Sequence, residues 1–334
     1  MNSMLVDASG VTDRGVVRSD NQDQFFVAEL TRCMRTIGSS LTVEPNAQLK
    51  GSPLGYLFMV ADGMGGHRAG NEASGLAIQY FIASILNRVR WLTPKTDADE
   101  SLLIEDLKVM LNQAHQEIKR QSESSESLAG MGTTFTMAYV IWPRMYVVHA
   151  GDTRCYLFRR DELKLLTRDH TVAEQMMKSG RLAPEAMERS PWSNVLLNAL
   201  GAGADDVFAE ITMLELQEGD LVLLCSDGLN KHVDDTNILN AIRQYRQPQT
   251  LCQTLVQQAN QGGGSDNITV VAATWRRSHS SHSMPIYHAK PIESVLLREI
   301  ATPYEEFDTA DHETLRISTC EFNDHPTDPM IGGS

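Results

Sequence analysis

LFMVADGMGGH, residues 57–67, runs an unbroken apolar segment into an aspartate and then into a glycine-rich loop. Tyr56 to Ala61 reads as a strand, with Asp62 at its C-terminal end. The same design recurs where YVVHAG leads to Asp152 and LVLLCS leads to Asp227. Two aspartates stand the other way round, Asp23 before QFFVAEL and Asp266 before NITVVAA, at the N-terminal ends of apolar runs. In an antiparallel sheet the start of one strand lies beside the end of its neighbour, so all five carboxylates can gather on one edge.

Carboxylates that close together raise each other's pKa and repel, and bound cations resolve the conflict. Oxygen ligands without cysteine or histidine pairs suit hard ions, so Mg²⁺ or Mn²⁺ is expected. Two such ions about 3.5 to 4 Å apart can activate a water and stabilise in-line displacement at a phosphate ester. Asp62 is the candidate bridging ligand, because Gly63 after it permits close approach. A single Asp-Gly pair is an ordinary turn element; five aspartates placed consistently beside strands are not. Arg18, five residues before Asp23, is the candidate for holding substrate phosphate through its planar fork. His67, on the loop after Asp62, is the candidate proton donor to the leaving oxygen.

Outward from these runs, further strands are expected over Phe25 to Leu30, Thr133 to Trp142, Tyr146 to Ala150, Cys155 to Arg159, Leu221 to Cys225 and Asn267 to Trp275. Helices are expected over Ala69 to Val89, Leu102 to Arg120, Val172 to Ser179, Thr236 to Arg246 and Pro248 to Asn260. Strand groups alternate with helical pairs, without a regular βαβ period. Residues 31 to 54 read as a long surface excursion. A domain boundary is placed near residue 276, where periodicity gives way to RRSHSSHSMP; His279, His282 and His288 beyond it read as solvated tail residues.

The chain has 334 residues, 42% hydrophobic and 22% charged, with a formal net charge of -14. That balance fits a folded protein and disfavours nucleic acid and anionic membrane as partners. The five cysteines (Cys33, Cys155, Cys225, Cys252, Cys320) contain no CxxC and suggest neither a disulfide framework nor a zinc site, but reduced, mostly buried residues. No apolar run approaches membrane-span length, and no leader pattern opens the chain, so a cytoplasmic location is expected.

Taken in order, TDRGVVRSDNQD (12–23), VADGMGGHRAGNEAS (60–74), GMGTTF (130–135), AGDTRCYL (150–157), LLCSDGL (223–229) and SDNITVV (265–271) resemble the motifs of the PPM (PP2C-type) metal-dependent protein serine/threonine phosphatases, in their bacterial branch. The resemblance covers about residues 8 to 275. It implies an α/β (α+β) fold, an αββα sandwich of two central antiparallel sheets flanked by helices, over a catalytic domain at 1–276. It also implies Asp23, Asp62, Asp227 and Asp266 as ligands of two Mn²⁺ or Mg²⁺ ions, with the Gly63 carbonyl completing one shell. Arg18 corresponds to the family's phosphate-binding arginine, His67 to its general acid, and Asp152 to the aspartate of a weaker third ion. Residues 169 to about 201 are similar to its mobile flap. The implied activity is hydrolysis of phosphoserine and phosphothreonine in proteins by a metal-bridging water, opposing a serine/threonine kinase.

The chain departs from the family in three places: Gln22 stands where many members have glutamate, residues 31 to 54 are longer than usual, and the tail at 277–334 lies outside the motif set and is expected to be weakly ordered. Two alternatives remain at this level, a pseudophosphatase that binds without turnover and a two-metal phosphatase acting on a small molecule. A cysteine-based phosphatase lacks its arginine six residues after any cysteine, and no nucleotide-binding glycine loop of a kinase or ATPase occurs.

Overall fold

From Leu57 to Ala61 every side chain is buried, yet the run divides between two layers. Leu57, Met59 and Ala61 pack on one side with helical residues, whereas Phe58 and Val60 pack on the other with residues of a second sheet. A strand covered on both faces has no polar side to show, which is why its sequence is apolar without alternation. The computed structural model describes residues 4–37, 48–65, 67–87, 96–186, 190–203 and 205–277, with the backbone alone for a few of these, His67 and Arg68 among them. All of them belong to one compact unit.

One sheet has the order β1-β11-β10-β7-β8, formed by β1 (Met4–Asp13), β11 (Ile268–Arg277), β10 (Leu221–Cys225), β7 (Arg154–Arg159) and β8 (Glu162–Leu165). The other runs β2-β3-β5-β6-β9, from β2 (Asp23–Arg35), β3 (Gln48–Met64), β5 (Phe135–Ile141), β6 (Arg144–Ala150) and β9 (Glu210–Glu215), with the short β4 (Gly132–Thr133) beside β3. Every pairing is antiparallel. Helices α1 (His67–Asn87) and α2 (Asp97–Ser124) cover the second sheet through Phe81, Ile85, Leu107 and Leu111; α5 (Asp235–Gln244) and α6 (Pro248–Gln261) cover the first through Ile238, Ile242, Leu251 and Leu255. Between the sheets lies a third apolar layer, with Phe58 edge-on to Trp275 at 6.2 Å. The expected αββα sandwich is the architecture observed.

Several expectations need correction. Residues 31 to 54 are not wholly a surface excursion: β2 and β3 continue as a hairpin through Arg35↔Gln48, with register shifts around Thr31. The outer part, residues 38–47, lies outside the described residues. Helix α2 begins at Asp97 instead of Leu102, because Thr96 and Asp99 form a reciprocal capping box. Strands β1, β8 and β9 were not foreseen. Cys155, Cys225 and Cys252 are buried, but Cys33 is exposed, and all four are free thiols. Strand β11 ends at Arg277; the tail beyond it, with His279, His282, His288 and Cys320, lies outside the described residues.

Phe58 is fully buried between the sheets. Phe58→Ala is expected to cost about 3–5 kcal/mol of stability, read as a lower urea midpoint; a loss under about 1 kcal/mol would contradict the inter-sheet layer as a packed core.

Candidate active site

Asp23 opens β2 and Asp62 lies near the end of β3, and the two are direct cross-strand partners. Both share the phase of the residues that face the other sheet, Phe25 and Val27 on β2, Phe58 and Val60 on β3. Their carboxylates therefore project into the mouth of the sandwich, where opposed Cβ atoms lie about 4.5–5.5 Å apart. From the other sheet, the hydroxyls of Ser226 and Thr269 donate to Asp23 Oδ2 at 2.6 and 2.7 Å. Asp23 thus joins the sheets. Its Oδ1 is buried without a hydrogen-bond partner, and so is Oδ1 of Asp227.

Asp62 is fixed through its backbone. The expected strand Thr133 to Trp142 is broken at Thr134, so that β4 turns away from β5 and pairs with Gly63 and Met64. At the break, Thr134 N–H donates to the Asp62 carbonyl at 2.9 Å, the Thr133 hydroxyl donates to the same oxygen, and Asp62 N–H donates to Thr134 Oγ1 at 3.0 Å. A side chain at position 63 would overlap the Gly70 carbonyl at the start of α1. Glycine is needed there by close approach, not by a left-handed backbone.

Asp227 opens the short α4 (Asp227–Asn230) directly after β10, and Asp266 precedes β11. Lys231 Nζ lies 2.6 Å from Asp227 Oδ2 and 2.6 Å from Asp266 Oδ2. Arg18 grips Asp266 from the other side, Nε to Oδ1 at 2.8 Å and Nη2 to Oδ2 at 3.0 Å. The arginine expected to hold phosphate is thus at the cluster, half-exposed and forked on a carboxylate. Asp152, in the loop after β6, shares with Arg18, Asp227, Lys231 and Asp266 a cleft of about 600 Å³. The side chain of His67 lies outside what the structure describes; its backbone is the first residue of α1.

Burial is the main force on these carboxyls. It pushes Asp23 up to about 7, against the hydrogen bonds of Ser226 and Thr269 and with the help of the Asp227 and Asp266 charges. Asp62 and Asp152 are held well above the usual carboxylate range by burial and then by neighbouring carboxylates, Asp23 foremost for Asp62 and Asp227 for Asp152. Asp227 is raised by burial despite Lys231. Asp266 is lowered: burial raises it, but the hydrogen bond and charge of Lys231 and the charge of Arg18 outweigh that. Acidic groups of this kind with unpartnered buried oxygens fit divalent cations. Among the described residues no three acidic, imidazole or thiol groups already stand close enough together to hold an ion; Mg²⁺ and Mn²⁺ tolerate shells completed with water.

The expected flap carries α3 (Val172–Lys178), capped by Thr171, whose hydroxyl accepts from Glu174 N–H. Its base is tied by bonds between Thr171 and Leu196 and from Val172 N–H to the Val195 carbonyl. His170 anchors that base. Its Nδ1 accepts from Gly151 N–H at 3.2 Å and from the Asn198 amide at 2.9 Å, and its Nε2 faces Glu210 at 3.2 Å. Asn194, on the flap, lines the cleft with Asp152.

Residues 47–268 match the family model of protein phosphatase 2C. The chain belongs to the protein phosphatase 2C family. The serine/threonine protein phosphatase PstP of Mycobacterium tuberculosis is 33% identical over 264 residues, 78% of this chain but 43% of the mycobacterial one. The chain therefore spans less than half the length of that relative. The serine/threonine phosphatase stp of Listeria welshimeri is 31% identical over 264 residues and is covered to 92% of its length. A crystal structure of the PstP catalytic domain in complex with two manganese ions superposes with a TM-score of 0.63 at 30% identity, over 82% of this chain and 99% of that one.

Within this phosphatase 2C fold the sequence reading missed the neutral residues that place the acids. Ser226, Thr269 and Thr134 do so directly. Asn267 shapes the loop carrying Arg18: its amide donates to the Arg14 and Asp20 carbonyls and its oxygen accepts from Gln22 N–H. The period-2 phase of β11 was the available signal, since Asn267 and Thr269 fall on the face of Val271. Lys231 was also missed, although its place four residues after Asp227 puts the two on one helical face.

A raised carboxyl has a definite linkage sign. Asp23 releases its proton near 4 when unfolded and near 7 when folded. Between those values the folded state binds more protons, so this residue's contribution to stability falls as pH rises. His149, fully buried and lowered to about 4 by burial and by His170, acts in the opposite sense below its usual value. In EDTA, between about pH 5 and pH 8, the melting temperature of wild type is therefore expected to fall relative to that of Asp23→Asn. Parallel melting profiles would contradict the assignment.

Proposed function

We propose that the chain hydrolyses phosphoserine and phosphothreonine in proteins, using two Mn²⁺ or Mg²⁺ ions held by Asp23, Asp62, Asp227, Asp266 and the Gly63 carbonyl. One observation carries the reading: Asp23 and Asp227, which belong to the two different sheets and their ends, each keep a buried oxygen without a hydrogen-bond partner, and Asp227 lines a cleft with Asp62, Asp266 and Arg18. Ions bound there would supply charge to the phosphoryl oxygens and a water of lowered pKa in line with the ester.

The chain's own residues divide the remaining work. Ser226 and Thr269 hold one oxygen of Asp23 and leave the other without a partner. The Thr133–Thr134 clamp sets the direction of Asp62. Arg18 presents a fork that matches two phosphoryl oxygens as well as it matches Asp266, and as a half-exposed side chain it can exchange one for the other. His67, opening α1, is assigned the proton for the departing serine or threonine oxygen. The names of the mycobacterial and Listeria relatives support phosphoprotein substrates. A serine/threonine kinase of the cytoplasm is the proposed source of these. No helix among the described residues is long and apolar enough to cross a membrane.

Phosphate release from a phosphothreonine peptide is expected to require Mn²⁺ or Mg²⁺, to stop in EDTA, and to fall to background in Asp62→Ala and Asp227→Ala. Arg18→Ala is expected to raise KM about tenfold with a smaller change in kcat. A folded wild-type protein inactive with either metal would leave a phosphoprotein-binding module in place of an enzyme, and full activity in Asp227→Ala would refute the site.

A further inference from the structure

Three cations line the cleft: Arg154 is paired with Asp169, Arg18 is assigned to phosphate, and Lys231 has a charge that the proposed reaction does not use. We propose that it is a tethered cation of the metal centre, standing beside Asp152 in the electrostatic place of a third divalent ion, so that the chain holds two ions and not three. The inference rests on the two-ion reading above.

The geometry fixes the ammonium closely. Lys231 closes the single turn of α4, its N–H donating to the Asp227 carbonyl at 2.9 Å, which stacks its side chain over Asp227. The next residue is pinned as well: His232 Nε2 accepts from Ser265 N–H at 3.0 Å, tying this turn to the residue before Asp266. The lysine side chain is 24% exposed, whereas Arg18 across the cleft is 52% exposed. Of the two cations, Arg18 has room to move to a substrate and Lys231 does not.

The atoms it takes are informative. Lys231 binds Oδ2 of Asp227 and leaves Oδ1 buried and unpartnered. An ion and the ammonium can therefore use different oxygens of one carboxylate, and Lys231 need not leave when the two ions bind. Asp152 lines the same cleft, and its carboxyl feels the Lys231 charge as a stabilising one. The charges also match: five aspartates are met by two divalent ions and one ammonium, which leaves Arg18 for the phosphate. A third ion at Asp152 would share the cleft with Lys231, and the repulsion between two cations in one half-buried cleft lowers the affinity for that ion.

The experiment counts Mn²⁺ per chain, by equilibrium dialysis with metal analysis and by calorimetry, on the full-length protein and on Lys231→Met and Lys231→Asp, with circular dichroism as the check on folding. Wild type is expected to hold two ions into the millimolar range, Lys231→Asp three, and Lys231→Met a third, weaker ion that wild type lacks. A purely structural lysine would lower the melting temperature of both variants in EDTA and leave the count at two, which would overturn the proposal. So would three ions on wild type, a result that needs no variant to fold. Fewer than two ions on folded wild type would instead remove the two-ion reading itself, and this inference with it.

Discussion

A carboxylate held between two apolar sheets sets the terms for the rest of this molecule. Asp23 is 2% exposed, and its position is accepted only because hydroxyls from the opposite sheet reach one of its oxygens. Burying an ionised group without such partners is among the most expensive things a fold can do. Here the expense falls at the mouth of the sandwich, where Asp62, Asp227, Asp266 and Asp152 add like charge. The three apolar layers hold the acids in place, and the acids in turn require counter-cations: Lys231 and Arg18 from the chain, and divalent ions from outside.

Most of the framework was legible because strands buried on both faces announce themselves. Leu221 to Cys225 is apolar at every position since its alternate residues meet α5 and α6 on one side and the facing sheet on the other. The strands that escaped notice lie at sheet edges. β8, with the sequence ELKL, is mostly exposed, and β9 and β1 are only part-covered, so none carries a strong apolar signal. Local chemistry also overrode pattern. Thr133 to Trp142 reads as one strand but breaks at Thr134, because that residue hydrogen-bonds to Asp62 in place of the continuing ladder.

The acids themselves were readable from their position at strand ends: Asp62, Asp152, Asp227 and Asp266 line the cleft, and Asp23 is the buried cross-strand partner of Asp62. What the sequence hid were the partners. Ser226 and Thr269 are ordinary strand and turn residues until the two sheets are stacked, since their contact with Asp23 spans more than two hundred positions of chain. Lys231 was hidden for another reason. A lysine after a one-turn helix looks like a solvated surface residue, and only the approach of Asp266 from a different strand turns it into a bridge.

These features also bear on how the parts around the cleft are tied together. The carboxylates are supplied by sheet ends clamped on several sides, whereas Asn194 lies on the segment around α3, whose described bonds to the rest of the fold stand at its two ends, through Asp169, His170, Asn198 and Leu200. His149 and His170 stack there at 4.7 Å, and burial keeps His149 neutral, its Nε2–H donating to the Arg168 carbonyl. The division follows from the charge each part carries: closely set acids must hold position against their own repulsion, and the segment around α3 brings none of those five acids. The clamping hydrogen bonds therefore stand where charge is concentrated, and the segment around α3 carries none of the proposed ion ligands.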